Sequence, residues 1–213
     1  MEMIPTIHAI SDMHFAHEDV MLRGGDILLI AGDFMGHGLP QELTVFNEWL
    51  GRQPYKHRIV VAGNHDWACE DASLAQRTLS NCIYLNHESA IVMGLKIFGS
   101  QWTPTFGSWA FMYDRGSELS VRLWMAVPLD TDILVTHGPA QGSGVSIVKG
   151  RTDDVGCWDL RHRICQLPQL KAHVCGHIHS GYGVGAIGDV KCYNVSVADE
   201  RYDIVNPPSV ITW

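Results

Sequence analysis

The chain has 213 residues, of which 46% are hydrophobic and 18% charged, with a formal charge of −8. This is the make-up of a globular protein long enough for one well-buried domain, taken to span residues 1–213, and it excludes a disordered or fibrous chain. The acidic balance leaves no basic footprint for following a long phosphate backbone, so general DNA or RNA binding is disfavoured, and no apolar run reaches the roughly 18–20 residues that a membrane helix needs.

Taken in chain order, apolar runs bounded by Gly, Asp or His predict strands at Ile7 to Ile10, Ile27 to Ala31, Ile59 to Ala62, Ile97 to Phe98, Ile133 to Val135 and Val174 to Cys175. Helical spacing falls between them: Leu43, Phe46 and Leu50 after Pro40, then Leu74 and Leu79, then Leu119, Leu123 and Ala126, then Leu160, Ile164 and Leu167. The alternation predicts a layered α/β fold. The irregular stretch from Trp102 to Arg115, with Pro104, Gly107 and several aromatics, predicts a loop over or beside a site. Beyond Tyr182 come Gly-rich turns around short β-like runs, Val190 to Val197 and Val210 to Trp213, with Pro207 and Pro208 as a break. The six cysteines form no close pair and no Cys-x-x-Cys, and Met1 to Ile10 lacks a basic start with an apolar core; a reduced, cytoplasmic setting is the expectation.

Five short runs follow predicted strands: Asp12-Met13-His14, Gly32-Asp33, Gly63-Asn64-His65-Asp66, Thr136-His137-Gly138 and Gly176-His177-Ile178-His179. Side chains far apart in sequence would then emerge together along one edge of a sheet, where open α/β folds place their chemistry. Hydrolysis of a phosphate ester needs a strong nucleophile and relief of charge on the non-bridging oxygens, and two divalent cations about 3.5–4 Å apart supply both by sharing a hydroxide. Asp33 is the best-placed bridging carboxylate; Asp12 with His14, and His177 with His179, are pairs able to point one way; Asn64 and His137 complete a nitrogen and oxygen set without thiolate. Such donors favour Mn, Fe or Zn. Two such ions with Asp12, Asp33 and the hydroxide leave a single positive charge, which matches a phosphodiester monoanion. His65, between Asn64 and Asp66, is assigned to transition-state stabilisation or leaving-group protonation, with Asp66 orienting its imidazole. His17 is the one further histidine considered for substrate contact, and Trp67, Trp102, Phe106 and Tyr182 are considered for stacking on a base.

These runs, in this order, resemble the signature of the calcineurin-like metallophosphoesterase superfamily. The resemblance implies a four-layer α/β/β/α sandwich with one ion held by Asp12, His14, Asp33 and His179 and a second by Asp33, Asn64, His137 and His177. Gly32-Asp33-Phe34, Asn47-Glu48-Trp49-Leu50-Gly51, Phe98-Gly99-Ser100 and Gly176 to Gly183 are similar, more narrowly, to the metallophosphoesterase-domain-containing proteins of the brain type and their bacterial relatives, including class III cyclic nucleotide phosphodiesterases. That likeness implies a metal-dependent phosphodiesterase acting on a small nucleotide, including 2′,3′- or 3′,5′-cyclic ones. Met13, in place of the usual small residue, and the Gln141-Gly142-Ser143-Gly144 stretch depart from the pattern.

A phosphomonoesterase or phosphoprotein phosphatase is the first alternative; the arginine that such enzymes place after the second aspartate is replaced here by Phe34-Met35-Gly36-His37-Gly38. A nucleotide-binding module with little turnover is the second. The expected partner is a small nucleotide or phosphodiester, without extended nucleic acid or membrane, and the oligomeric state is left open, a homodimer included.

Overall fold

The computed structural model describes residues 5–213. The N-terminal reading for a secretory pattern lies partly on residues 1–4, outside this description. In chain order the elements are β1 (Ile7–Ile10), β2 (Gly25–Ala31), α1 (Pro40–Arg52), β3 (Tyr55–Val61), α2 (Ala72–Thr78), β4 (Ile83–Tyr84), β5 (Glu88–Val92), β6 (Leu95–Ser100), β7 (Thr103–Pro104), β8 (Met112–Tyr113), α3 (Glu118–Met125), β9 (Ile133–Thr136), α4 (Trp158–Ile164), β10 (Ala172–Cys175), β11 (Gly183–Ile187), β12 (Val190–Asn194) and β13 (Ser209–Val210).

Two sheets form the centre. The first runs β13-β1-β2-β3-β4, parallel except for β13; the second runs β11-β12-β10-β9-β6-β5, with parallel inner strands and antiparallel edges. Strand periodicity divides the apolar residues into separate cores. In β1 and β2, Ile7, Ala9, Ile27, Leu29 and Ala31 face the second sheet, where they meet Ile97, Ile133, Val135 and Val174. Their neighbours Ile10, Leu28 and Ile30 face the other way and bury against Leu43, Phe46, Trp49 and Leu50 of α1. On the far side, Phe98 and Leu134 pack under Leu123 and Trp124 of α3 and Leu160 and Ile164 of α4. The result is the α/β/β/α order, with strands buried on both faces as parallel sheets require. Each such Leu or Ile contributes about 1.5–3 kcal/mol of burial.

Helix α1 starts where the sequence allows it. Pro40 occupies the first turn, and the Glu42 carboxylate accepts the backbone N–H groups of His37, Gly38 and Leu39, so the free donors at the helix start are satisfied. Met13, the departure from the family pattern, is fully buried in the core beneath α1. Strands β4 and β7, of two residues each, are too short to leave a periodic signal, and β11, with its alternating glycines, reads as turn in the sequence.

Candidate metal centre

Each motif sits just beyond the C-terminal end of a parallel strand, but the strands belong to two sheets. Asp12 to His14, Asp33 and Asn64 follow β1, β2 and β3, whereas His137 and His177 follow β9 and β10. The expectation of a single sheet edge is therefore corrected: the donors meet across the seam between facing sheets, because the inner core brings both sets of strand ends to the same side. Backbone bonds stitch the turns together, from Asp12 N–H to Gly32 O (2.9 Å), His14 N–H to Asp33 O (3.0 Å) and Gly176 N–H to His137 O (2.9 Å). Ser11 N–H donates to Val195 O at 3.0 Å and so ties the first sheet to the second beside the site.

The turns are strained. Asp12, His14, Asp33 and His177 all have φ between 43° and 69°, a left-handed backbone that costs an L-residue about 1–2 kcal/mol. Glycines provide the clearance. A Cβ on Gly32 would lie 2.5 Å from His137 Nδ1, and one on Gly63 would lie 2.5 Å from Asp33 N and 2.7 Å from His137 Cε1. A Cβ on Gly176 would overlap the Ser11 hydroxyl and the Asp12 carboxylate.

Three overlapping sets of donor atoms result: Asp12, His14 and His179; His14, Asp33 and His65; and Asp33, His137 and His177. Asn64 joins the last, with its Oδ1 2.9 Å from His137 Nε2, which is itself 3.3 Å from Asp33 Oδ2. Across the pocket, His14 Nε2 faces His179 Nε2 at 3.1 Å, and His179 Nε2 lies 3.6 Å from Asp12 Oδ1. The ring tautomers are fixed from behind, since His137 Nδ1 meets Ala31 O at 2.9 Å and His179 Nδ1 meets Asp199 O at 2.7 Å. With those nitrogens donating, the Nε2 lone pairs of His137 and His179 point at other acceptors. Only a proton or a cation relieves that convergence, so this donor set fits divalent ions.

Electrostatics agree. Burial lowers His14 to about 4, and burial with the neighbouring His137 lowers His177 to about 3, so both imidazoles offer a lone pair at neutral pH. Against burial, the Asp33 carboxylate raises His137 to about 9, and hydrogen bonding and charge from Asp12 raise His179 to about 9. Burial would raise the two carboxylates, but His179 holds Asp12 well below the usual range and His137 holds Asp33 at about 2. Asp12 Oδ2 also accepts from Ser11 Oγ and Ser196 Oγ, each at 2.5 Å, and from His177 N–H at 3.0 Å. Protons bind where the sites would attract cations.

The roles expected of His65 and Asp66 separate. His65 lines the pocket, its N–H donating to Asp33 Oδ1 (2.7 Å) and its ring stacked 4.5 Å from that of Trp109. Asp66 does not orient that ring, and this expectation is corrected. Its buried carboxylate accepts the backbone N–H groups of Gly63 (2.7 Å), Asp33 (2.9 Å) and Met35 (2.9 Å), while His65 Nδ1 turns to Gly36 O at 3.4 Å. Asp66 thus pins the two ligand turns to each other, with both of its oxygens engaged by backbone amides.

The donors open into a cavity of about 280 Å³ whose outer wall includes Phe106, Trp109, Glu200 and Tyr202. Phe106, from the irregular loop, lies 4.9 Å from the His177 ring, and Tyr202 lies 4.4 Å from that of His14. That loop is anchored to the centre, since Ala110 N–H donates to Asn64 O at 3.3 Å. Trp109 and Tyr202 were not singled out from the sequence, and neither was Asp199. The clustered acids around Arg201 mark a turn, but nothing local says that it faces the site. His17 is not at the site; it is buried against Phe46 and Trp49. Tyr182 donates to Pro207 O, and neither Trp67 nor Trp102 lines this cavity.

A family model described as calcineurin-like phosphoesterase matches residues 5–181. The chain is 38% identical to human metallophosphoesterase domain-containing protein 1, over 95% of this chain and 69% of that protein. It is 32% identical to the UPF0046 protein C25E10.12 of Caenorhabditis elegans, over 93% of this chain and 80% of that one. A solved crystal structure with 17% identity superposes with a TM-score of 0.66 over 90% of each chain, which shows a shared fold. With its donor cradle at the sheet seam, the chain belongs to the calcineurin-like phosphoesterases, which hydrolyse phosphoesters by means of a dinuclear divalent metal centre.

Proposed function

We propose that the chain is a phosphodiesterase acting on a small nucleotide, cyclic forms included, with Asp12, His14, Asp33 and His179 holding one divalent ion and Asp33, Asn64, His137 and His177 the other. The observation that carries this reading is the charge of the cavity wall: among the described residues, His65, Phe106, Trp109, Ser180, Tyr202 and the acidic Glu200 stand around the donors without a lysine or arginine, and the two arginines of the adjoining cavity are engaged elsewhere, Arg115 with the Val155 and Gly156 carbonyls and Arg151 with Asp153. A monoester dianion would need an additional cationic partner and would be repelled by Glu200, whereas a diester monoanion needs none. Two bound divalent ions (Mn, Fe or Zn by donor type) would neutralise the non-bridging oxygens and activate water.

The chain's own residues do the rest. The backbone N–H of His65 takes Asp33 Oδ1, which leaves Oδ2 directed at His137. Trp109 covers one face of the His65 ring, and with Nδ1 donating to Gly36 O, Nε2 is the nitrogen left to meet a substrate oxygen; in the imidazolium form, where both nitrogens carry hydrogen, it would pass its Nε2 proton to the leaving oxygen and return to the neutral ring. Phe106 and Tyr202 add apolar surface to the cavity wall beside the donors. Turnover of bis(p-nitrophenyl) phosphate, p-nitrophenyl phosphate and 2′,3′- and 3′,5′-cyclic nucleotides, each with Mn, Zn, Fe and Mg, tests the reading. The diesters should exceed the monoester in kcat/KM by about tenfold or more, the worth of roughly 1.4 kcal/mol of charge repulsion. Faster monoester turnover would reject it.

A further inference from the structure

Trp109 has a second side. It also lines a separate cavity of about 460 Å³, bounded by Glu70, Asn86, Gln101, Trp102 and Phe111, so its indole is shared by that space and the metal centre. The cavity lies beside two segments that leave the sheets near the site: Gln101 and Trp102 follow β6, and Glu70 ends the short turn that begins one residue after Asp66.

Its polar groups are incompletely used. Gln101 is 3% exposed and donates through Nε2 to Asn86 Oδ1, but its Oε1 is buried without a partner. A buried amide oxygen left unpaired costs about 1–3 kcal/mol, and because Gln101 lines the cavity, a donor reaching it from there would relieve that cost. The Gln101–Asn86 bond uses Asn86 Oδ1 and leaves its Nδ2 as a donor, so the linked amides carry one acceptor and one donor between them. That pairing matches the edge of a nucleobase, where an N–H stands next to a ring nitrogen or carbonyl, and Trp102, Trp109 and Phe111 supply aromatic surface for its faces. A larger cavity of about 530 Å³ beside β1 offers no comparable signal, because its Tyr55 hydroxyl is already paired with His8 Nδ1 at 2.9 Å.

We infer that the cavity behind Trp109 is a base-recognition subsite, in which the Gln101–Asn86 amide pair reads the base edge of a nucleotide whose phosphate lies at the metal centre. This rests on the nucleotide phosphodiesterase reading above and names the part of the substrate that reading leaves open. It also gives Trp102 the stacking part considered from the sequence, in a neighbouring cavity and not the metal pocket.

The test is equilibrium binding, followed by calorimetry and by tryptophan fluorescence, of AMP, GMP and inorganic phosphate to the metal-loaded wild type and to the Gln101→Leu and Asn86→Ala variants. For at least one nucleotide, Kd should rise about tenfold in each variant, the size of one lost hydrogen bond to a buried partner, while Kd for phosphate moves less than about twofold. Phosphate binding also reports that each variant is folded, and Asn86, only partly buried, serves if Gln101→Leu does not fold. Unchanged nucleotide affinity, or equal losses for nucleotide and phosphate, would overturn the inference. So would a wild type that binds AMP and GMP no better than phosphate. Turnover of bis(p-nitrophenyl) phosphate by the wild type, measured in parallel, tests the diesterase reading separately, because that ester has no base.

Discussion

On the floor of the site, Asp12, Asn64 and His137 are buried and the turns that carry them are bonded to one another, whereas on its rim Phe106, Trp109 and Tyr202 are 54%, 38% and 52% exposed. The floor is built from strand ends, with four residues held in left-handed backbone and glycines where a methyl group would collide. The rim is built from loops, and its aromatic rings lie against the rings of His14, His65 and His177. Chemistry that depends on placement within a few tenths of an ångström is thus assigned to packed sheet, and selection among substrates to segments able to vary without disturbing it. Substitutions on the two sides should fail in different ways.

The largest effect is expected from Gly63→Ala. The added Cβ would press on Asp33 N and His137 Cε1, displacing donors of both sheets at once. Elemental analysis should show loss of bound metal, and diester turnover should fall on the order of 10²–10³-fold, as misplacement by about 1 Å does elsewhere. Full metal content in this variant would mean that the floor yields, and the contrast with the rim would dissolve. Next comes His65→Ala, which sharpens the boundary between the two regions. A proton donor's removal should lower kcat about 10²-fold with metal content unchanged. His65 also lies within reach of His14 and Asp33, so metal loss in parallel with kcat would move it into the ligand set.

Asp66→Asn should act on stability more than on chemistry. Burial and the Asp33 carboxylate push Asp66 up, while the amide N–H groups of Gly63 and Met35 pull the other way, and an asparagine would set an NH₂ against one of those donors. A cost of about 2–4 kcal/mol follows, read as a fall in Tm on the order of 10 °C for a chain of this size. Turnover per bound metal should fall less than tenfold, in contrast to His65→Ala.

How legible these regions were in the sequence differs for the same physical reason. A strand end carries a local signature, in that an apolar run followed by Gly-Asp or Gly-Asn-His states both the element and the exposed turn after it. The four helices and the strands from β1 to β3 are readable on periodicity alone, and with them the turns on which the candidate donors stand. What the pattern could not state was that β1 to β3 and β9 to β10 belong to different sheets, since strand pairing is non-local; it entered through the family resemblance. Asp66 was misread because its neighbour in sequence is His65, while its partners in space are backbone amides contributed by Gly63, Asp33 and Met35, which no side-chain pattern announces. Trp109 and Tyr202 stayed hidden for a similar reason: an aromatic in an irregular loop looks the same whether it packs inward or lies across a histidine.

The smallest expected effect belongs to Tyr202, and it separates backbone from side chain within the rim. Its φ of 67° is imposed by the turn in which Asp199 N–H donates to Asp203 O at 2.9 Å and Asp199 O accepts from His179 Nδ1. Alanine in that conformation is as strained as tyrosine, so Tyr202→Ala should leave Tm within about 2 °C, the effect of an exposed side chain. It removes the ring lying 4.4 Å from His14, and KM for a diester should rise about threefold with kcat little changed, as for lost uniform binding. Tyr202→Gly loses the same ring but relieves the left-handed backbone, worth roughly 1 kcal/mol, and should raise Tm by about 2–4 °C with the same KM. Equal Tm values for the two variants would show that the turn is held by something other than the residue's own backbone preference, and a fall in bound metal in either would place Tyr202 with the floor.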